Sequence, residues 1–493
     1  MHIPEEAFFL DPAHEGTLQQ QIQRMVAQGI LSGRFRPRQK LPSSRKLAAH
    51  LGISRITVTL AYTELLSGDY LTARGRSGYY VSETAPRPPE LTMPSTAPAD
   101  SVDWLRAIGQ RYSGGQTMTK PPDWRTYQYP FIYGQADATL FDHQNWRQCA
   151  LQALGQKDFE ALTTDYFERD DPKLVEFIAH HILPRRGINA RPEQVLLTLG
   201  AQNALWLTAQ VLLTQRRTAA MENPCYPGLR EILTQTRCNL VSLDVDENGL
   251  PPEDLPSGID VVFTTPSHHC PTNATMPLNR RRDLLARAHR DDFILVEDDY
   301  EFEMSFLSPP SPALKSLDTD GRVVYIGSFS KSLFPGLRLG YLVGSEPFIR
   351  EARALRATVL RHPPGHIQRT AAYFLSLGHY DALINRMGSA YKQRRAVMDQ
   401  AIRSNGLTIA GQDIFGGSSF WMKTPESIDT AELAEVLRAK GVLIEPGWVF
   451  FDKQNGPNHY YRLAYSSIAT AKIPAGIALI ADAIKQSGLR QAT

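Results

Sequence analysis

The 493-residue chain is poor in cysteine, has no long apolar run and carries almost no net charge. Its four cysteines (Cys149, Cys225, Cys238 and Cys270) are scattered without metal-ligand spacing, so neither a disulfide framework nor a metal centre is expected. No stretch approaches the ~20 uncharged apolar residues of a membrane span. The opening Met1-His2-Ile3-Pro4-Glu5-Glu6 lacks the basic start and apolar core of a secretion signal. Internal repeats are absent too. These absences point to a cytoplasmic globular protein, and a prior of roughly 100–200 residues per domain allows two to four domains.

The small net charge of +2 hides an uneven distribution. Residues 1–82 hold 10 Lys+Arg against 6 Asp+Glu, which leaves 43 against 45 for the remainder. Seven basic residues and no acid lie between Arg34 and Arg55. Such a segment suits phosphate backbones, although a basic run is also an ordinary solvated face. Thr17 to Ile30 has helical spacing, with Leu18, Ile22, Met25 and Val26 on one side. Ser43 can cap a short helix that Gly52 ends, and Ser54 can cap the next, whose stripe is Val58, Ala61, Tyr62, Leu65 and Leu66. Two short helices joined by a glycine turn form a helix-turn-helix pattern. Tyr70-Leu71-Thr72 and Gly78 to Val81 then read as a two-stranded wing around Arg74-Gly75-Arg76. Residues 84–98 carry five prolines and little to bury, which is the composition of a semi-stiff linker.

Beyond it, short apolar runs alternate with helical patterns. Val195–Leu199, Val261–Thr264, Phe293–Val296 and Val323–Ile326 are strand candidates. Ala204–Leu213, Arg280–His289 and Ser389–Ser404 are helix candidates. Alternation of this kind predicts an α/β domain with a largely parallel sheet, whose ligands bind beyond the carboxyl ends of the strands.

Polar motifs fall at those ends. Ser328-Phe329-Ser330-Lys331 precedes Pro335-Gly336-Leu337-Arg338, and an apolar run ends in Glu297-Asp298-Asp299-Tyr300. A lysine near a buried acid, a phosphate-binding arginine and a tyrosine together suit pyridoxal phosphate. Asp298 would pair with a protonated pyridine nitrogen, or it is a strand-end carboxylate satisfied by amides or a salt bridge. Tyr300, on the same side of a strand, would reach the ring oxygen. Lys331 would form the Schiff base, although a single lysine is by default a surface residue. Ser328 and Ser330 offer hydroxyls to a phosphate and Arg338 a bidentate fork. Gly200-Ala201-Gln202-Asn203 is a phosphate-binding helix start or an ordinary turn. Tyr226 either stacks on a flat ring or is structural. Arg462 suits an anionic ligand head, or is a packed or salt-bridged arginine on a strand.

In order along the chain, these motifs resemble a known combination. Leu41-Pro42-Ser43-Ser44-Arg45-Lys46-Leu47-Ala48 and Leu51-Gly52-Ile53-Ser54-Arg55-Ile56-Thr57-Val58 resemble the winged helix-turn-helix of the GntR class. Gly200-Ala201-Gln202, Asn223-Pro224-Cys225-Tyr226-Pro227, Thr265-Pro266-Ser267-His268-His269, Glu297 to Tyr300, Ser328 to Lys331 and Arg462 resemble fold-type I aminotransferases. The two in this order resemble the MocR family of transcriptional regulators. The resemblance implies a DNA-binding domain over residues 13–82, a Pro-rich linker over 83–125 and a pyridoxal-phosphate-binding effector domain over 126–493. It assigns Lys331 to the internal aldimine, Asp298 to the pyridine nitrogen and Tyr300 to the ring oxygen. Ala201, Gln202, Ser328, Ser330 and Arg338 fall to the phosphate, Tyr226 to the ring face and Arg462 to a carboxylate. Arg45, Lys46, Ser54, Arg55, Thr57 and Arg76 fall to operator DNA.

The implied function is a regulator that senses an amino acid or related amine through an external aldimine, as a head-to-tail homodimer. The alternative is a working aminotransferase carrying a DNA-binding domain. One segment departs from the aminotransferase pattern: Cys270-Pro271-Thr272-Asn273 stands where Asn-Pro-Thr-Gly is common, and a thiol is a much weaker donor than an amide. Gly416-Gly417-Ser418-Ser419-Phe420-Trp421 and His362-Pro363-Pro364-Gly365-His366 are similar to the taurine-responsive subgroup of that family.

Overall fold

The computed structural model describes residues 2–11, 16–86, 102–113, 115, 120–165, 167–411, 416–452 and 456–491. The chain divides into two compact units, Met1–Gln110 and Arg111–Thr493. Most of the proline-rich segment expected to be a linker lies outside the described residues, as does the side chain of Arg76.

In the first unit three helices, Leu18–Leu31, Ser44–Leu51 and Arg55–Ser67, precede the antiparallel strands Leu71–Ala73 and Tyr79–Val81. Local chemistry sets their ends. The Thr17 hydroxyl accepts from the Gln20 amide while the Gln20 side chain accepts from the Thr17 amide, a reciprocal cap on two otherwise unpaired donors. Ser43 and Ser54 accept from the amides of Lys46 and Thr57, and Gly52 ends its helix at φ 64°. Ile22, Val26, Leu47, Val58, Tyr62 and Val81 are buried together, so one small core fixes the angle between the second and third helices.

The second unit is built on a seven-stranded sheet ordered Val195–Thr198, Gly340–Val343, Val323–Ser328, Ile294–Asp298, Val261–Thr264, Thr218–Asn223 and Asn239–Asp244. Five strands run parallel, from Val323–Ser328 through Asn239–Asp244. Gly340–Val343 is antiparallel to both neighbours, a departure from a purely parallel sheet. Val261–Thr264 and Val323–Ser328 are buried along their whole length, which explains their unbroken apolar character. A smaller antiparallel sheet, Thr408–Ile409, Ser419–Lys423, Tyr460–Ala464 and Glu445–Pro446, follows. Among the described residues no helix is long and apolar enough to cross a membrane.

Several boundaries move. The helix expected from Ala204 begins at Ala201, and the one expected from Ser389 begins at His379. The strand expected over Phe293–Val296 is Ile294–Asp298, so Tyr300 lies past its end rather than on it.

Candidate functional site

Backbone alternation separates Glu297, Asp298 and Asp299, which run through and just past the end of the strand Ile294–Asp298. Glu297 accepts the backbone amides of Leu314 and Lys315, both at 2.8 Å, with the Arg281 guanidinium 4.0 Å away. Asp299 accepts from Arg186 Nε at 2.6 Å and from the Tyr325 hydroxyl at 2.9 Å. Asp298 faces the other way, into a cleft of about 320 Å³. Its Oδ1 is buried and has no hydrogen-bond partner among the described residues. Burial, with Asp299 and Glu222 adding repulsion, pushes its carboxyl up to about 7. A buried carboxylate oxygen without a partner is unfavourable, and a cation placed against Asp298 in the cleft would relieve it. A strand-end carboxylate satisfied by amides or a salt bridge thus describes Glu297 and Asp299.

The other cofactor candidates surround the same cleft. Lys331, Tyr300, Tyr226, Ser328 and Ser330 line it, as do Ala201, Gln202, Arg338 and Arg462. Lys331 Nζ stands 4.0 Å from the centroid of the Tyr133 ring. Burial lowers the lysine to about 8, against the opposing pull of Glu301. Its amine is thus far closer to neutrality at physiological pH than a surface lysine, as a carbonyl nucleophile requires. Gly134, at φ 67°, leaves the space this demands, because a Cβ there would overlap Lys331 Nζ.

At the other end, the helix Ala201–Leu212 starts at Gly200 (φ 80°) with no side-chain cap. Its first amides are left for an anion, and they are joined by Arg338, whose Nη2 donates to Leu199 O at 2.9 Å. The Ser328 hydroxyl accepts the Ser330 amide at 3.2 Å. Tyr226 is 37% exposed on the cleft wall. Cys270 also lines the cleft, and burial pushes its thiol up to about 11, so it stays protonated and donates weakly. Arg462 is both a cleft residue and a salt-bridged one: its Nε donates to Glu445 Oε2 at 2.8 Å.

Glu445, Tyr133 and Lys120 also line the cleft and were not singled out from the sequence. Tyr133 is 312 positions from Glu445, whose Oε1 accepts its amide. In the first unit Arg45, Lys46, Ser54 and Arg55 are exposed. Thr57 is half-buried, its hydroxyl 3.1 Å from that of Ser54. Ile56, which the apolar pattern passed over, is 72% exposed on the third helix beside Arg55.

Comparison with known proteins agrees with both halves. Residues 18–81 match the bacterial regulatory proteins of the gntR family, and residues 136–459 match aminotransferase class I and II. The HTH-type transcriptional regulator TauR of Rhodobacter capsulatus is 60% identical over 98% of this chain and 100% of its own. The chain belongs to the MocR family. The probable rhizopine catabolism regulatory protein MocR of Rhizobium meliloti is 29% identical, covering 89% of this chain and 88% of its own. Among solved structures, a kynurenine aminotransferase of Pyrococcus horikoshii, in complex with PMP, superposes with a TM-score of 0.68 at 26% identity. That match covers 74% of this chain and 92% of that one. LysN, an α-aminoadipate aminotransferase of Thermus thermophilus, reaches 0.70 at 24% identity over 79% and 100% and shows the shared fold. This MocR-type chain is thus a transcriptional regulator whose large unit has the aminotransferase fold.

Proposed function

We propose that this regulator binds operator DNA through its winged helix and, in the cytoplasm, senses a small amine with an acidic end at a pyridoxal phosphate held in the cleft. The observation that carries the reading is the buried, partnerless Oδ1 of Asp298 in the same cleft as a lysine whose amine is lowered to about 8. A pyridinium nitrogen would meet Asp298. Lys331 would carry the cofactor, and Tyr300 would reach the ring oxygen while Tyr226 covers the ring. The amides of Ala201 and Gln202, the hydroxyls of Ser328 and Ser330 and the Arg338 fork would hold the phosphate. When bound, the cofactor supplies one aldehyde carbon, for which Lys331 and a free primary amine compete.

The chain's own groups turn that competition into a signal. Released Lys331 gains a proton and a charge beside Tyr133 and Glu301. Arg462 would hold the acidic end of the effector. The difference in free energy between the lysine-bound and lysine-free states is what can alter the DNA-binding unit. Two copies in a head-to-tail homodimer would present two winged helices to two half-sites. Arg45, Lys46 and Arg76 would meet phosphates, with Ser54, Arg55 and Thr57 at the start of the recognition helix. A short aminosulfonate such as taurine suits this effector class, supported by the 60% identity to TauR.

The test is DNA affinity, measured by fluorescence anisotropy on a duplex selected in vitro from random sequence, with pyridoxal phosphate present. Taurine is expected to change Kd by about 5- to 150-fold, the usual range of such coupling. Lys331→Ala should keep DNA binding and lose that response. An undiminished response in Lys331→Ala would refute the reading.

A further inference from the structure

The cleft carries a pair of charges that the cofactor does not use. Arg462 and Glu445 are cross-strand partners in the antiparallel pairing of Tyr460–Ala464 with Glu445–Pro446, so backbone register brings them together. Arg462 Nε donates to Glu445 Oε2 at 2.8 Å, with both side chains almost wholly buried. The other carboxylate oxygen accepts the Tyr133 amide at 3.2 Å, which pins Glu445 in place. The guanidinium lies over the Tyr133 and Phe450 rings, at 3.9 and 4.9 Å from their centroids. Lys120 is exposed and lines the same cleft.

We propose that Glu445 is the charge filter of the effector subsite, admitting amines with one acidic group and turning away those with two. This rests on the reading of Arg462 as the anchor of the effector's acidic end. In that reading Asp298 and Arg338 are engaged by the ring nitrogen and phosphate of the cofactor, and the effector amine takes the place of Lys331. Among the described residues, the charged side chains that remain on the cleft wall are Arg462, Lys120 and Glu445, two positive and one negative. Glu301 stands behind Tyr133, its oxygens accepting the hydroxyls of Tyr133 and Ser418. A lone sulfonate or carboxylate balances the net charge of the subsite. A second acidic group would face Glu445, whose side chain is almost wholly buried, so the like charges would repel more strongly than in bulk solvent. Glu445 therefore sets specificity without touching the reacting atoms.

The test uses the full-length protein loaded with pyridoxal phosphate, titrated while its visible spectrum is followed. Taurine and β-alanine serve as amines with one acid, L-glutamate and L-cysteate as amines with two, and 3-aminopropanol as the uncharged control. The intact protein should prefer the first pair by at least about tenfold in apparent Kd. Glu445→Gln, which keeps the shape and an acceptor, should narrow that gap about tenfold and leave 3-aminopropanol within about twofold. Lys120→Glu, at an exposed position that does not endanger folding, should weaken taurine and β-alanine about tenfold, again sparing 3-aminopropanol.

An unchanged gap in Glu445→Gln, or an equal loss for every amine including the uncharged one, would overturn the filter. Should Glu445→Gln not fold, unchanged taurine affinity in Lys120→Glu would overturn it as well. If no amine of any charge perturbs the spectrum of the intact, loaded protein, the sensing reading itself fails and the filter falls with it.

Discussion

Replacing Asp298 by Asn should stabilise the cofactor-free protein at alkaline pH while weakening its hold on the cofactor. The carboxyl rises from an ordinary 3.8 to about 7 in the folded chain, through burial first and then repulsion from Asp299 and Glu222. Lys331 opposes that rise, and Glu297 adds to it. A folded-state value above the unfolded one means the native chain keeps a proton that the unfolded chain has lost. Stability then falls as pH climbs through that window, with the penalty complete above about 7 and absent below about 4. The full difference corresponds to about 4 kcal/mol, and solvent at the open cleft mouth reduces it to between about 2 and 4. Asn has nearly the same shape and no charge. In urea denaturation Asp298→Asn should therefore exceed the parent by about 2–4 kcal/mol at pH 8 and match it within about 0.5 at pH 4. Tryptophan fluorescence suits the measurement, because five of the six tryptophans lie in Arg111–Thr493. An equal difference at both pH values, or a less stable Asn variant at pH 8, would refute the argument.

Three further outcomes follow from the same geometry. The rate at which cofactor-free protein takes up pyridoxal phosphate should rise with pH around a midpoint near 8, because Lys331 must lose its proton to react and burial has lowered it from 10.5 to about 8; a rate still climbing steeply at pH 10 would contradict this. Gly134→Ala places a methyl group against Lys331 Nζ at a left-handed backbone position, so stopped-flow uptake should slow by about tenfold or more, with strain of about 1–2 kcal/mol in the folded state. Arg55→Ala should cost about 1–3 kcal/mol of operator affinity in anisotropy titrations, and a loss below about 1 would argue against base contact there.

Local chemistry made much of this molecule legible from sequence. Ser43, Ser54 and Gly52 cap helices through their own side chains or backbone freedom, so the winged helix could be read residue by residue. Asp298 ends one apolar strand and Lys331 follows another by three residues, where polarity changes abruptly along the chain. Strand direction is not written in periodicity, so antiparallel Gly340–Val343 was invisible. Gly200-Ala201-Gln202-Asn203 reads as a helix start, and the helix does begin at Ala201, ahead of the apolar stripe that starts at Ala204. Tyr133 and Glu445 lie too far apart in sequence for any local pattern to join them. Pairing of Glu445–Pro446 with Tyr460–Ala464 is what brings Glu445 to Arg462.

The most direct test of the central claim is the visible spectrum of the purified protein with pyridoxal phosphate, followed by borohydride reduction and mass analysis of the peptide containing Lys331. The expected result is a yellow band that reduction fixes onto Lys331 alone. A protein that stays colourless and unmodified with excess cofactor would contradict the claim and leave the large unit without the sensing role proposed for it.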